Sequence, residues 1–178
     1  MSKTSVFLSY PKPFNDDQEN FINALSKYMR AWNLEPHTLG VTDYDTDIPL
    51  RAIRRLMLES NGIVTIAFRR TLVQRGSSRP GTSFAFSLDG KWLTSPYAQI
   101  EPAMAFQIGL PTLILRENGV LPEGLLEKGI VGLYMPEFEL GASVEAYLKS
   151  EEWLQIFRKW EHQVSSVREK KGLPPSFY

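Results

Sequence analysis

Residues 62–68, GIVTIAF, carry no charge and are β-branched or apolar at nearly every position. A run that is apolar on both faces suits a central strand of a parallel sheet, because helices cover such a strand from both sides. Just upstream, Leu50, Ile53, Leu56, Met57 and Leu58 recur at helical spacing, Pro49 suits a first turn, and Asn61-Gly62 reads as the stop. Downstream, beyond a long interruption, a helix is expected from Pro96 to about Ile108, closed by Gly109, and PTLILRE at 111–117 reads as the next strand. Helices on either side of strands imply right-handed crossovers and an α/β layer fold.

The rest of the chain fits that rhythm. VFLSY at 6–10 is a short buried strand ended by Pro11 and Pro13, and Asn15, Asp16 or Asp17 can cap the helix that follows. Phe21, Ile22, Leu25, Tyr28, Met29 and Trp32 form its core face, Phe14 either staples its start or stacks on a base, and Asn33 closes it. LEPHTL reads as a second strand, leading into the acidic loop GVTDYDTDIP. Residues 69–94 break the alternation: an Arg-, Ser- and Gly-rich half precedes FAFSLDGKWL, which reads as a hairpin turning at Asp89-Gly90. GIVGLYM at 129–135 is a weaker strand, and Leu148, Trp153, Phe157 and Trp160 mark a C-terminal helix or helix pair fading into the tail EKKGLPPSFY. The expectation is a flavodoxin-like three-layer α/β fold with a central, mostly parallel sheet. Residues 1–142 would form the domain, with 69–94 inserted over the carboxyl edge of the sheet, and 143–178 a helical extension and tail.

Composition narrows the chemistry. Lys plus Arg and Asp plus Glu both number 20, and no basic run offers the surface that nucleic acid needs. The absence of Cys removes thiolate nucleophiles and Cys-ligated zinc, and His37 and His162 lie far apart, so no metal site is expected. No segment holds about 18 uninterrupted apolar residues, so no membrane span is expected, and the default location is the cytoplasm.

In an open parallel sheet, ligands bind beyond the carboxyl ends of the strands, in the loops that lead into helices. SPYAQIEPAMAFQIGLPTLIL at 95–115 puts one carboxylate, Glu101, into the first turns of such a helix. An acid there can simply complement the helix dipole, worth roughly 0.3 to 1 kcal/mol. The surrounding residues favour a chemical role. Ser95, Tyr97, Glu101 and Ala105 resemble the catalytic-glutamate segment of Toll/interleukin-1 receptor (TIR) domains: a Ser, a Trp two residues on, a Glu four after that. Tyr97 stands in for the Trp. VFLSY is similar to that family's opening strand, and AIRRLMLESNGIVTIAF to its second helix and third strand, with Ser60 before the strand. The resemblance covers most of residues 5–116. It departs at the 69–94 insertion, in lacking a Trp-Cys dipeptide, and at VTDYDTDIP, which only loosely echoes the family's loop after the second strand.

A neighbouring family, the nucleoside 2-deoxyribosyltransferases and related N-glycosidases, uses the same sheet and a Glu followed four residues later by Ala. Its Gly-Thr before the Glu is absent here, as is an Asp-rich loop partner. Both resemblances imply cleavage of a C1′–N bond with Glu101 as the catalytic carboxylate. A carboxylate against the ribose can stabilise the oxocarbenium-like sugar, hold its hydroxyls or attack C1′. The TIR resemblance implies nicotinamide adenine dinucleotide (NAD) as substrate, with no cofactor, and hydrolysis or cyclisation as the outcome. It further implies antiphage or immune signalling, a homo-oligomer, and a separate sensor or effector protein. Many TIR domains are instead non-catalytic adaptors.

The supporting residues follow from their places in the chain, and Tyr97 from the resemblance as well. Ser9, Tyr10 and Lys12 would face the nicotinamide ribose and diphosphate, although Tyr10 can pack and Lys12 can be solvated. Tyr97 would position the site from beneath, next to Ser95. Asp43, with Asp45 and Asp47, could hold ribose hydroxyls or only form turns. Arg69, Arg70, Arg75 and Arg79 could clamp a diphosphate or be solvated, and Trp92 could close over a purine or anchor the hairpin. The stripe Trp153, Phe157, Trp160 reads as core or dimer interface.

Overall fold

A computed structural model of the chain describes residues 3–132 and 134–170. The elements run β1 (Thr4–Ser9), α1 (Asp16–Ala31), β2 (Leu34–His37), α2 (Pro49–Glu59), β3 (Ile63–Ala67), β4 (Thr71–Leu72), β5 (Ser77–Ser78), β6 (Phe86–Ser87), β7 (Trp92–Leu93), α3 (Tyr97–Gln107), β8 (Thr112–Glu117), β9 (Glu137–Phe138), α4 (Val144–Leu148) and α5 (Glu151–Glu169). Five strands form one parallel sheet in the order β2-β1-β3-β8-β9. The chain steps from β1 outward to β2 and returns on the far side of β1 to make β3. The strand order therefore reverses between β1 and β3, the place where open α/β sheets bind ligands beyond the carboxyl ends of their strands.

Strand periodicity assigns the two faces. Val6 and Leu8 of β1, Val64 and Ile66 of β3, and Leu113 and Leu115 of β8 share one buried cluster with Phe21, Leu25 and Met29 of α1 and Trp153, Phe157 and Val164 of α5. Phe7 and Ile63 point the other way, into a cluster with Ile53, Leu56 and Met57 of α2 and Ala105 of α3. Ala67 and Ile114 meet Ala98 of α3 on that same side. The result is three layers, with α1, α4 and α5 on one face of the sheet and α2 and α3 on the other. The aromatic stripe on α5 is core: Trp153 and Phe157 are fully buried, and Phe21 stacks on Phe138 at 4.0 Å between centroids.

Local signals set the helix ends as chemistry requires. Asn15 caps α1, its side chain accepting from the Gln18 N–H, Pro49 opens α2, and Asn33 takes a positive φ of 60° just past the end of α1. The stop of α2 is Ser60, one residue earlier than Asn61-Gly62, with its hydroxyl donating to the Leu56 carbonyl. Phe14 does not staple α1; it is 57% exposed. The last strand also moves, since GIVGLYM forms no strand among its described residues and β9 follows at Glu137–Phe138. Asp89-Gly90 does turn the chain, with Gly90 at φ 71°, but the flanking segments pair elsewhere. β7 runs antiparallel to β4, and β6 to β5, so the insertion is two nested ladders rather than one short hairpin.

Gly62, at the head of the stretch that decides the fold, is needed for close approach. A Cβ placed there would lie 2.6 Å from Val164 Cγ2 of α5 and 3.3 Å from the Pro111 carbonyl. Gly62→Ala is expected to lower stability by about 1 to 3 kcal/mol through overpacking, measured by urea unfolding with an unchanged m-value. A urea midpoint equal to that of the parent protein would show that α5 gives way without cost.

Candidate functional site

Ser9, at the carboxyl end of β1, and Thr65, in the middle of β3, lie side by side, paired in register. Both point to the α2/α3 side, since their neighbours Phe7, Ile63 and Ala67 pack there. Facing them is the first half of α3, where the Glu101 side chain lies 8% exposed and accepts a hydrogen bond from the Ser9 hydroxyl. Pro102 follows within the helix. It has no N–H, so the Ala98 carbonyl four residues earlier has no α-helical donor.

The composition of the helix explains this placement. Ala98, Glu101, Pro102 and Ala105 are its buried residues, and three of those four are small or apolar. Small side chains bring α3 close to the sheet, so the one carboxylate among them is drawn out of water. Burial pushes the Glu101 carboxyl up to about 7, against the downward pull of the Ser9 hydrogen bond. A carboxyl held near neutrality and buried at the switch point is a candidate for proton transfer or for stabilising positive charge.

The other expected site residues divide into groups. Tyr10 turns to the opposite face of β1 from Ser9, as strand alternation demands, and with Lys12 lines a separate cleft of about 580 Å³ between α1 and the Thr38–Val41 loop. Burial raises the Tyr10 hydroxyl, partly offset by its contact with Thr38. Asp43 is committed to the loop itself: it accepts from Thr42 and pairs with His37 at 2.9 Å. Burial alone would raise the Asp43 carboxyl, but the Thr42 and His37 contacts win and hold it below the usual carboxylate range. Asp45 pairs with Arg55, and Asp47 with Arg51, which keeps the acidic loop occupied with its own neighbours.

Ser95 is buried and its hydroxyl accepts from the Tyr97 N–H, capping the turn into α3. Tyr97, expected to pack beneath the site, is instead 41% exposed as the first residue of that helix. Trp92 is half-buried and packs with Ala98, Ile114 and Val120, its carbonyl accepting from the Leu121 N–H; it anchors the insertion. Of the four arginines, Arg69 is held by Glu117 at 3.5 Å and donates to the Asn118 carbonyl, while Arg70, Arg75 and Arg79 are exposed.

Two features have no counterpart in the sequence-based expectation. Thr65 is fully buried and its hydroxyl has no hydrogen-bond partner. Its signal is a single hydroxyl residue inside an otherwise apolar strand. Glu117, at the end of β8, is a second buried carboxylate at this edge, raised by burial against hydrogen bonds from the Arg69 N–H and Gln18. It serves the opposite face, where the Gln18 side chain of α1 joins it to the base of the insertion. Among the described residues no group of three or more metal-ligating side chains is assembled, and no helix is long and apolar enough to cross a membrane.

This architecture has a known counterpart. The fold is similar to that of a solved N-glycosidase. The CMP N-glycosidase BcmB of Clostridium botulinum superposes with a TM-score of 0.51 at 14% identity, over 86% of this chain and 99% of that one. The TIR domains of the activated Roq1 resistosome, which recognises the pathogen effector XopQ, superpose with a TM-score of 0.43 at 15% identity, over 98% and 90%. No family model and no curated protein sequence matches the chain.

Proposed function

We propose that this chain is an N-glycosidase that breaks the C1′–N bond of NAD, with Glu101 as its catalytic carboxylate. The observation that carries the reading is the buried Glu101, bonded to Ser9 at the switch point of the sheet. The Ser-aromatic-Glu segment supports it from the sequence, and the fold it shares with an N-glycosidase is consistent with it.

Among the described residues Glu101 is the one buried carboxylate on its face of the sheet, and Glu117 is turned to the other face and engaged there. A lone carboxylate suits a leaving group that needs no proton. Nicotinamide in NAD is already cationic: when its bond to C1′ breaks, both electrons pass to the ring nitrogen and the base leaves neutral. Ionised Glu101 stabilises the positive charge left on the ribose. Water then adds to C1′ and its proton leaves through the carboxylate, giving nicotinamide, ADP-ribose and a proton. Attack by an adenine nitrogen in place of water gives a cyclic product.

The second reading is a nucleoside monophosphate such as the CMP that the structural neighbour acts on. A neutral pyrimidine leaving group gains from protonation, so there Glu101 would act as an acid. The pH profile separates the two. If ionised Glu101 stabilises the sugar cation, kcat/KM rises with pH and levels off above about 7; if protonated Glu101 donates, it falls over the same range.

The test is to incubate the protein at high concentration with NAD, with CMP and with deoxynucleosides, and to resolve the products by mass across pH. Nicotinamide release on a rising profile supports the proposal. Free cytosine on a falling profile replaces NAD with the nucleotide, and base exchange between deoxynucleosides assigns a transferase. Inertness toward all three, at concentrations where the protein self-associates, overturns the enzyme reading in favour of an interaction module.

A further inference from the structure

Thr65 is the least explained polar group in the core. Its side chain is fully buried and its hydroxyl has no partner, so nothing offsets the loss of its hydration. Such a group in the middle of a central strand calls for a reason.

Its position supplies one. On β3, Ile63 belongs to the buried cluster that holds Ala105 of α3, and Ala67 to the cluster that holds Ala98. Thr65 lies between Ile63 and Ala67 on that same face, roughly 6 to 7 Å from each along the strand. Glu101 and Pro102 lie between Ala98 and Ala105 on the helix, one turn of about 5.4 Å from each. The helix and strand run past one another in opposite senses, which sets Thr65 opposite the turn that carries Glu101. Ser9, its register partner on β1, already donates to that carboxylate. A single side-chain donor thus reaches Glu101 among the described residues, although two hydroxyls stand beneath it.

Among the described residues, the rest of that interface brings no unpaired buried charge. α2 turns Ala52, Ile53, Leu56 and Met57 inward, and β1 and β3 bring no ionised side chain. On β8, Arg116 is engaged by Glu137 and by the Leu126 carbonyl.

We propose that Thr65 is a positioning residue for Glu101, its hydroxyl donating to the carboxylate beside Ser9 once that group is ionised. Two donors from adjacent strands fix both the ionisation and the rotamer of a side chain that one donor leaves free to turn. The inference rests on Glu101 being the catalytic carboxylate, so its test includes a readout that needs no turnover.

Thr65→Val removes the hydroxyl and keeps the shape, and Thr65→Ser restores it. The carboxyl carbon of Glu101 is followed by NMR in selectively labelled protein, assigned by its loss in Glu101→Gln. Thr65→Val is expected to move its titration midpoint up by about 0.5 to 1 pH unit, because a donor to the charged form is lost, and Thr65→Ser to return it. On substrate, Thr65→Val is expected to lower kcat about tenfold with KM unchanged, which is the sign of an interaction made in the transition state. A midpoint equal to that of the parent protein in Thr65→Val overturns the positioning role, whatever the substrate proves to be. A shifted midpoint in a protein that cleaves no glycosidic bond keeps the Thr65–Glu101 link and overturns only the reaction assigned to it.

Discussion

Glu101→Gln is expected to reduce release of nicotinamide by about a thousandfold while making the protein harder to unfold at alkaline pH. The first half follows from Coulomb energy: a carboxylate about 4 Å from a developing positive charge, at an effective dielectric near 20, contributes about 4 kcal/mol. That is close to three powers of ten in rate. The second half follows from burial. A carboxyl that titrates near 7 in the fold and at 4.5 in an ordinary environment binds more protons folded than unfolded between those values. Stability therefore falls as pH rises through that window, by on the order of 3 kcal/mol in all, and is at its fullest below about pH 4.5.

Glutamine has no charge to bury and can still accept from Ser9. The variant should therefore melt roughly 5 to 10 °C above the parent protein at about pH 8.5, with the gap closing toward pH 4.5. Thermal unfolding across pH and a mass-resolved activity assay check both halves together. Loss of activity with lower stability at every pH would make Glu101 a structural residue. Unchanged turnover would remove it from the chemistry.

The sheet is legible in the sequence because its signals are local and redundant. GIVTIAF, VFLSY and PTLILRE are each apolar enough to be buried strands whatever lies around them, and Asn15, Pro49 and Gly109 mark ends where only certain backbones fit. β9 escapes such a reading because it has only two residues and depends on pairing with β8, a non-local contact that no short window carries. The insertion fails for the same reason: Asp89-Gly90 turns the chain as its type demands, but the strands that pair around it are distant in sequence. The chemistry is half legible. Glu101 stands out as a lone acid in an Ala- and Met-rich helix, and Ser9 as the end of a strand. Thr65 does not, since a β-branched residue in a strand needs no explanation until its hydroxyl is found without a partner. Ser9 and Tyr10 share a place at a strand end, but adjacent residues of a strand face opposite sides of the sheet, so only Ser9 meets Glu101.

Trp153→Ala is expected to destabilise the fold by about 3 to 5 kcal/mol. The ring is fully buried at the start of α5, with Phe157 at 5.3 Å, Tyr147 at 5.6 Å and Tyr28 at 5.9 Å between centroids. Those partners come from α5, α4 and α1, so its removal loosens all three helices on one face of the sheet at once. Against a total of about 5 to 15 kcal/mol, a loss of that size should lower Tm by on the order of 10 °C. Trp153→Phe separates packing from polarity: the indole N–H has no partner, so losing it costs nothing and most of the ring contacts remain. Glu101 lies across the sheet from this cluster, against α2 and α3. The Ala variant, assayed well below its melting point, should therefore keep the kcat/KM of the parent protein, because Ser9 and Thr65 face the opposite layer. Equal melting temperatures for Trp153→Ala and the parent would mean that α5 is not held by this contact in solution. A matched fall in kcat/KM would mean that the two layers share one cooperative unit through β1 and β3.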